Sequence, residues 1–169
     1  MINLNKYLIQ ILIVIFILSG CGFKIRGSSG TNELKFNTIF VETGRGKSLN
    51  RELKRAIISY GSASLVNTDA LAEIIIRILS EKKEKKILTL NSQGQVREYS
   101  LIYRLIFEIE NRKKEKLLAP TELALQTFMS FSESQALAKE VEEKMIYNDL
   151  RRDAVSQIIR QLSQISYNQ

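Results

Sequence analysis

Histidine and tryptophan are absent from this 169-residue chain, and cysteine and proline occur once each. Without histidine, the commonest general base and metal ligand is missing. A single thiol excludes an internal disulfide, so even in an oxidising compartment stability has to come from packing and secondary structure. Carboxylate chemistry is thin as well. Asp69, Asp149 and Asp153 are the only aspartates, and Glu140, Glu142 and Glu143 stand beside Lys139 and Lys144 as charge-paired helix residues do. A two-carboxylate hydrolase is the one enzyme class left open, and nothing reads as a glycine-rich phosphate loop. The expectation is a protein that is not an enzyme and holds no cofactor or metal.

The one cysteine stands directly behind an apolar run, in ILSGCGF (Ile17–Phe23). Met1 to Gly20 carry Lys6 as their only charge and are apolar from Ile11 to Leu18, with Ser19-Gly20 closing the run. This is the pattern of a secretory signal peptide, and it is shorter than the roughly 20 apolar residues that a membrane-spanning helix needs. Leu18-Ser19-Gly20-Cys21 resembles the lipobox of bacterial lipoproteins, in which the chain is cut before the cysteine and the thiol is joined to a diacylglyceryl group. Cys21 is therefore expected to be the lipid attachment site. Two or more acyl chains, at about 0.8 kcal/mol per buried CH₂, hold a protein stably on a membrane. Gly22 follows the cysteine, where lipoproteins retained at the inner membrane often carry Asp. The expected address is the outer membrane, on its periplasmic side.

Residues 1–20 are then signal peptide, and residues 21–169 have the length of one domain with its own core. The formal net charge is +7, which favours anionic partners or surfaces. An exported, lipid-anchored protein does not meet nucleic acid, so the anions in question are lipid headgroups and the phosphates of lipopolysaccharide.

Along the mature chain, Leu34–Val41 (LKFNTIFV) is β-rich, with Leu34, Phe36, Thr38 and Phe40 on one side and Ile39 and Val41 on the other. Ser48 is placed to cap a helix in which Leu49, Leu53 and Ile57 recur at helical spacing until Gly61. Ala72–Leu79 reads as a strand, and Ile87–Leu90 resumes it after a charged interval. From Tyr99 to Ile109 apolar residues alternate strictly with Ser100, Ile102, Arg104, Ile106 and Glu108. A third long strand carries Leu123, Leu125, Thr127, Met129 and Phe131, with Pro120 at its beginning. Asn91–Gly94 and Asn111–Lys114 are the turns of a meander. Ser132 and Gln135 fit a capping box ahead of a helix from Glu133 to Leu162, on which Leu137, Val141, Met145, Ile146, Leu150, Ala154, Ile158 and Leu162 form one apolar stripe. The order strand, helix, three strands, helix predicts an α+β two-layer sandwich, with two helices packed on one face of a four-stranded sheet.

Several of these stretches resemble the LPS-assembly lipoprotein family, LptE. CGFKIRG (Cys21–Gly27) is similar to the family's opening, GQVREYSLIYRLIFEI (Gly94–Ile109) to its central hairpin, and QALAKEVEEKMIYNDLRRDAVSQIIRQL (Gln135–Leu162) to its final helix. The resemblance implies an outer-membrane lipoprotein that plugs the lumen of the β-barrel LptD and assists lipopolysaccharide insertion into the outer leaflet. It also points to Arg97, near the Gly94 turn, and Lys139, in the helix start ALAKE, as residues that meet lipopolysaccharide phosphates. Family members often carry a basic residue in the turn before the glycine, where this chain has Asn91-Ser92-Gln93.

The remaining basic residues carry two readings. Lys82, Lys83, Lys85 and Lys86 read as a solvated strand end and Arg112, Lys113, Lys114 and Lys116 as a solvated turn, with contact to lipopolysaccharide as the functional reading. In YNDLRRDA (Tyr147–Ala154), Asp149 and Arg152 read as a surface ion pair, with barrel contact as the alternative. The rival function is an auxiliary lipoprotein subunit of a phospholipid or solvent export system.

Overall fold

The computed structural model describes residues 34–42 and 47–165. All of them belong to one compact unit, Glu33–Gln169. The expected signal peptide, residues 1–20, the expected lipid site Cys21 and the CGFKIRG stretch lie outside the described residues.

The chain is α+β. Strand β1 (Thr38–Glu42) leads to helix α1 (Lys47–Tyr60) and a two-residue strand β2 (Ser64–Leu65). A 3-10 turn at Asp69–Leu71 precedes three long strands, β3 (Ile74–Leu90), β4 (Val96–Asn111) and β5 (Lys116–Ser130). A second 3-10 turn, Glu133–Gln135, opens onto helix α2 (Ala136–Gln164). The sheet order is β2-β1-β3-β4-β5: β1 runs parallel to both neighbours, and β3, β4 and β5 form an antiparallel meander.

The sheet has five strands where four are predicted. The extra one, β2, is too short to show alternation. It exists because Gly61, at φ +73°, turns the chain out of α1 and back alongside β1, where Ser64 N donates to Asn37 O at 2.8 Å and Val66 N to Ile39 O at 3.0 Å. Parallel neighbours need a crossover, and α1 supplies it.

Three further expectations change in the structure. β1 starts at Thr38, after a bend at Asn37 that shifts the phase, so Leu34, Phe36, Ile39 and Val41 all enter one core instead of dividing between two faces. β3 is a single strand through its charged interval, 17 residues and so about 56 Å long. Each residue from Glu81 to Ile87 pairs with β4, and a bulge at Leu79 switches which parity faces the helices. β5 begins at Lys116, with Pro120 inside it. Proline is tolerated there because β5 is an edge strand and the register shifts between the Thr121 and Leu118 pairings.

The caps also differ. Ser48 lies inside the first turn of α1, and Ser132 makes no capping bond, its hydroxyl meeting Ser134 Oγ at 2.9 Å. The two meander turns share one design. Asn91 and Asn111 each accept from the backbone N–H of Gln95 or Glu115 at 2.9 Å and donate to that residue's side chain, while Gly94 (φ +78°) and Lys114 (φ +65°) take the left-handed position.

Both helices pack on one face. Leu101, Tyr103, Leu105, Phe107 and Ile109 of β4 are fully buried there, with Leu49, Leu53 and Ile57 of α1 and Ala154, Ile158 and Leu162 of α2. The strict alternation of the β4 sequence is thus the alternation of a strand with a helix layer on one side.

Candidate functional site at the free end of the meander

β1 pairs with β3 only from Ile74 to Arg77. Beyond that point the described sheet is three strands wide, and this free half holds both predicted ligand residues. Arg97 follows the Asn91–Gln95 turn on β4. Its carbonyl accepts from Phe131 N at 2.8 Å, and the Phe131 ring meets Tyr99 edge-on with centroids 5.2 Å apart. The Arg97 side chain is exposed and makes no ion pair among the described residues. It borders a pocket of about 220 Å³ with Asn91, Gln95, Phe131, Ser132 and Glu133.

Lys139 stands in the first turns of α2, on the other side of the same junction. Its ammonium donates to Ser130 Oγ at 3.0 Å and pairs with Glu142 Oε2 at 2.8 Å, leaving the side chain 13% exposed. The fold thus brings Arg97 and Lys139 to consecutive residues where β5 ends, Phe131 and Ser130. One cation faces solvent, and the other is already held.

The lysines of β3 sit in mid-strand, not at a solvated strand end, and they divide by face. On the helix side, Lys83 Nζ lies 5.1 Å from the Tyr147 ring centroid, and Lys85 Nζ lies 4.2 Å from that of Tyr99 while donating to Glu143 at 2.7 Å. On the other side, Lys86 reaches Glu84 at 3.2 Å, and Arg104 bridges Glu84 at 2.8 Å and Glu122 at 2.5 Å. The hydrogen bonds and charges of Lys86 and Arg104 hold the Glu84 carboxyl below its ordinary range. Glu122 and Glu84 raise the Arg104 guanidinium.

The second basic cluster is used structurally. Arg112 donates to Ala72 O at 3.2 Å, Lys114 pairs with Asp69 at 2.9 Å and Lys116 with Glu108 at 3.0 Å. The first two tie the β4–β5 turn to the Asp69–Leu71 turn and the residues just before β3, and the third joins β5 to β4. Lys114 keeps the Asp69 carboxyl below its usual range.

In YNDLRRDA, Asp149 and Arg152 form the expected exposed pair. Arg151, which the sequence reads as one of two arginines offsetting the neighbouring aspartates, is the buried member. It donates to Glu52 of α1 at 2.8 Å and to Asn148 at 2.9 Å, and Glu52 raises its pKa further. Nearby, Tyr103 is buried and donates to Glu81 at 2.7 Å; desolvation first, and then that bond, push its hydroxyl far above the ordinary tyrosine range. A sequence clue existed, because Arg151 is one helical turn from both Tyr147 and Ala154 on the core-facing stripe.

Apolar residues at this end lie outside the core. Leu137 (81% exposed), Val141 and Met145 line the solvent side of α2, and Ile87, Leu88, Leu90 and Phe128 are exposed on β3 and β5. The predicted continuous stripe is therefore broken between Met145, which is exposed, and Ile146, which packs against the core.

These features define a class, an α+β domain built on a long antiparallel meander with one helix layer and a three-stranded end of mixed cations and exposed apolar residues. A sequence model of the LptE lipopolysaccharide-assembly family matches residues 36–162, and the chain belongs to that family. The LPS-assembly lipoprotein LptE of Pectobacterium atrosepticum is 23% identical over 165 residues, covering 93% of this chain and 84% of that protein. Among solved structures, lipoprotein B of Nitrosomonas europaea is 37% identical with a TM-score of 0.72, covering 84% of this chain and 90% of that one. The rare lipoprotein B of Shewanella oneidensis, at 23% identity, has a TM-score of 0.65 over 75% of this chain and 94% of its own; at that identity it bears on the fold alone.

Proposed function

We propose that this protein is a non-catalytic outer-membrane lipoprotein that plugs and supports the barrel LptD and assists insertion of lipopolysaccharide into the outer leaflet. Residues 1–20 act as the signal peptide, Cys21 carries the lipid on the periplasmic side, and residues 21–169 form one periplasmic domain. The observation that carries this reading is the family match, which spans the whole sheet and nearly all of α2. The geometry fits it. A barrel of many strands leaves a lumen that something has to fill, and the free end of the meander offers cations beside exposed apolar side chains, the two chemistries of a phosphorylated lipid. Arg97 and Lys139 are its proposed phosphate contacts. Arg97 is open to a ligand, whereas Lys139 has to exchange Glu142 for one.

Copurification in detergent tests the central claim. A stable complex with LptD is expected, and recovery with an inner-membrane ATPase complex instead would overturn it. Cys21→Ala should abolish palmitate labelling and leave an uncleaved precursor. Arg97→Glu and Lys139→Glu should weaken lipopolysaccharide binding at low salt, with the loss shrinking as salt screens charge over about 8 to 10 Å.

A further inference from the structure

We propose that Glu142 and Glu143 of α2 are internal stand-ins for the phosphates of the lipid ligand, each holding one lysine, Lys139 or Lys85, until a phosphate takes its place. Lys85 is thereby a further ligand residue. The inference rests on the reading of Arg97 and Lys139 as phosphate contacts. What carries it is the way the first half of α2 is turned. A helix packed on a sheet ordinarily turns its apolar row inward. From Ala136 to Met145 the partly buried side chains are instead Lys139, Glu142 and Glu143, while Leu137, Val141 and Met145 are exposed. The helix leaves apolar surface in solvent and sets two consecutive carboxylates against two lysines.

Both pairs are built to exchange. Glu142 Oε2 lies 2.8 Å from Lys139 Nζ, and Glu143 Oε2 lies 2.7 Å from Lys85 Nζ. The Glu142 side chain is 45% exposed and that of Lys85 is 34% exposed, so solvent reaches each pair from one partner. Ion pairs open to water contribute little to stability and are cheaply replaced. A phosphate monoester carries about −1.5 to −2 charges and three acceptor oxygens, where a carboxylate has one charge and two oxygens. It is the stronger partner for an ammonium group.

Lys85 belongs to the same end of the meander as Arg97. Its ammonium stands 4.2 Å from the Tyr99 ring centroid, Tyr99 meets Phe131 edge-on, and Phe131 N donates to Arg97 O beside the pocket that Arg97 borders. Arg97 is the residue skipped between the Glu98–Thr89 and Val96–Leu90 pairings, and a bulge of this kind re-aims a side chain. Of the three cations, one is therefore open to a first phosphate, and two are held by carboxylates that further phosphate can displace.

The test is binding of lipopolysaccharide, and of the same lipopolysaccharide stripped of its phosphates, to the full chain in detergent. Glu142→Gln and Glu143→Gln should each raise affinity for the phosphorylated form about two- to fivefold, the scale of an exposed ion pair that no longer competes, with unchanged circular dichroism. Glu140→Gln removes the same charge from an exposed carboxylate that holds neither lysine, and should give no comparable gain. The gains should vanish when Lys139→Gln is added to Glu142→Gln and Lys85→Gln to Glu143→Gln, and Lys85→Gln alone should weaken binding. A gain no larger than that of Glu140→Gln, a gain that survives loss of the lysine, or an equal gain for the stripped ligand would each overturn the proposal. If Arg97→Glu and Lys139→Glu leave affinity unchanged, the phosphate reading falls and this inference with it. If they weaken binding while Glu142→Gln and Glu143→Gln bring no gain, only this inference falls.

Discussion

From Ala136 to Met145, α2 rests on the sheet through polar contacts, and from Ile146 to Leu162 it rests there mainly through apolar ones. In the first half Lys139 reaches Ser130 and Lys85 reaches Glu143, while at the junction Tyr147 donates to Glu84 O at 2.7 Å. Leu137, Val141 and Met145 meanwhile face away from the sheet. In the second half Leu150, Ala154, Val155, Ile158, Ile159 and Leu162 enter the core. What differs is the layer beneath. The second half lies on apolar β4 beside α1, whereas the first half lies between the end of β5 and the side chains of the lysine-bearing part of β3. Helical spacing of apolar residues shows that a helix has an apolar face; the neighbouring layer decides whether that face is its core face.

The sharpest way to break this comparison is to truncate the core of the apolar half. Leu105→Ala and Ile158→Ala, both fully buried, should each lose about 2 to 5 kcal/mol in urea unfolding. Losses of only a few tenths at both positions would mean that the second half is no core at all.

Next in size is the ion pair between the helices. Arg151→Met should lose about 1 to 3 kcal/mol by leaving the partly buried Glu52 carboxylate without its partner. Glu52→Gln with Arg151→Met should recover part of that loss, and a double-mutant cycle would measure the coupling.

A smaller effect is confined to alkaline solution. The native Tyr103 and Tyr147 hydroxyls are both raised by burial, Tyr103 the more strongly. For a phenol raised above its unfolded value, near 10, the stabilisation is complete below that pH and falls as pH rises past it, because only the unfolded chain then ionises freely. Tyr103→Phe should flatten that alkaline decline more than Tyr147→Phe. Equal slopes would erase the distinction between the buried half and the junction.

The smallest effect belongs to the polar half. Leu137→Ser, Val141→Ser and Met145→Ser should each change urea stability by less than about half a kcal/mol, as ordinary surface substitutions do. In cells these same changes should weaken recovery with LptD if the exposed stripe meets the barrel. A stability loss comparable to that of Ile158→Ala would show the two halves to be alike.

Much of the fold is legible in the sequence. The period of two in Tyr99–Ile109 and the period of 3.6 in Leu49–Ile57 and Leu150–Leu162 are local records of burial on one side, and Gly61 and Asn91–Gly94 mark turns by their backbone requirements. These periods come from backbone geometry, so they survive in one dimension. The family resemblance, carried by the same stretches, is legible in the same way.

What the tertiary structure alone decided has one physical cause, that a partner distant in sequence supplies the energy. The two-residue β2 exists through hydrogen bonds to β1. The interval Glu81–Lys86 is strand because β4 pairs with it and Glu143, Arg104, Tyr99 and Tyr147 receive its charges. Arg151 is buried because Glu52 waits on α1, and Lys139 is held because Ser130 ends β5 beside it. By itself the sequence determined where apolar faces, turns and the single cysteine lie. Which faces became core, and which cations were left open to a ligand, depended on contacts between residues far apart in the chain, and no local pattern encodes those.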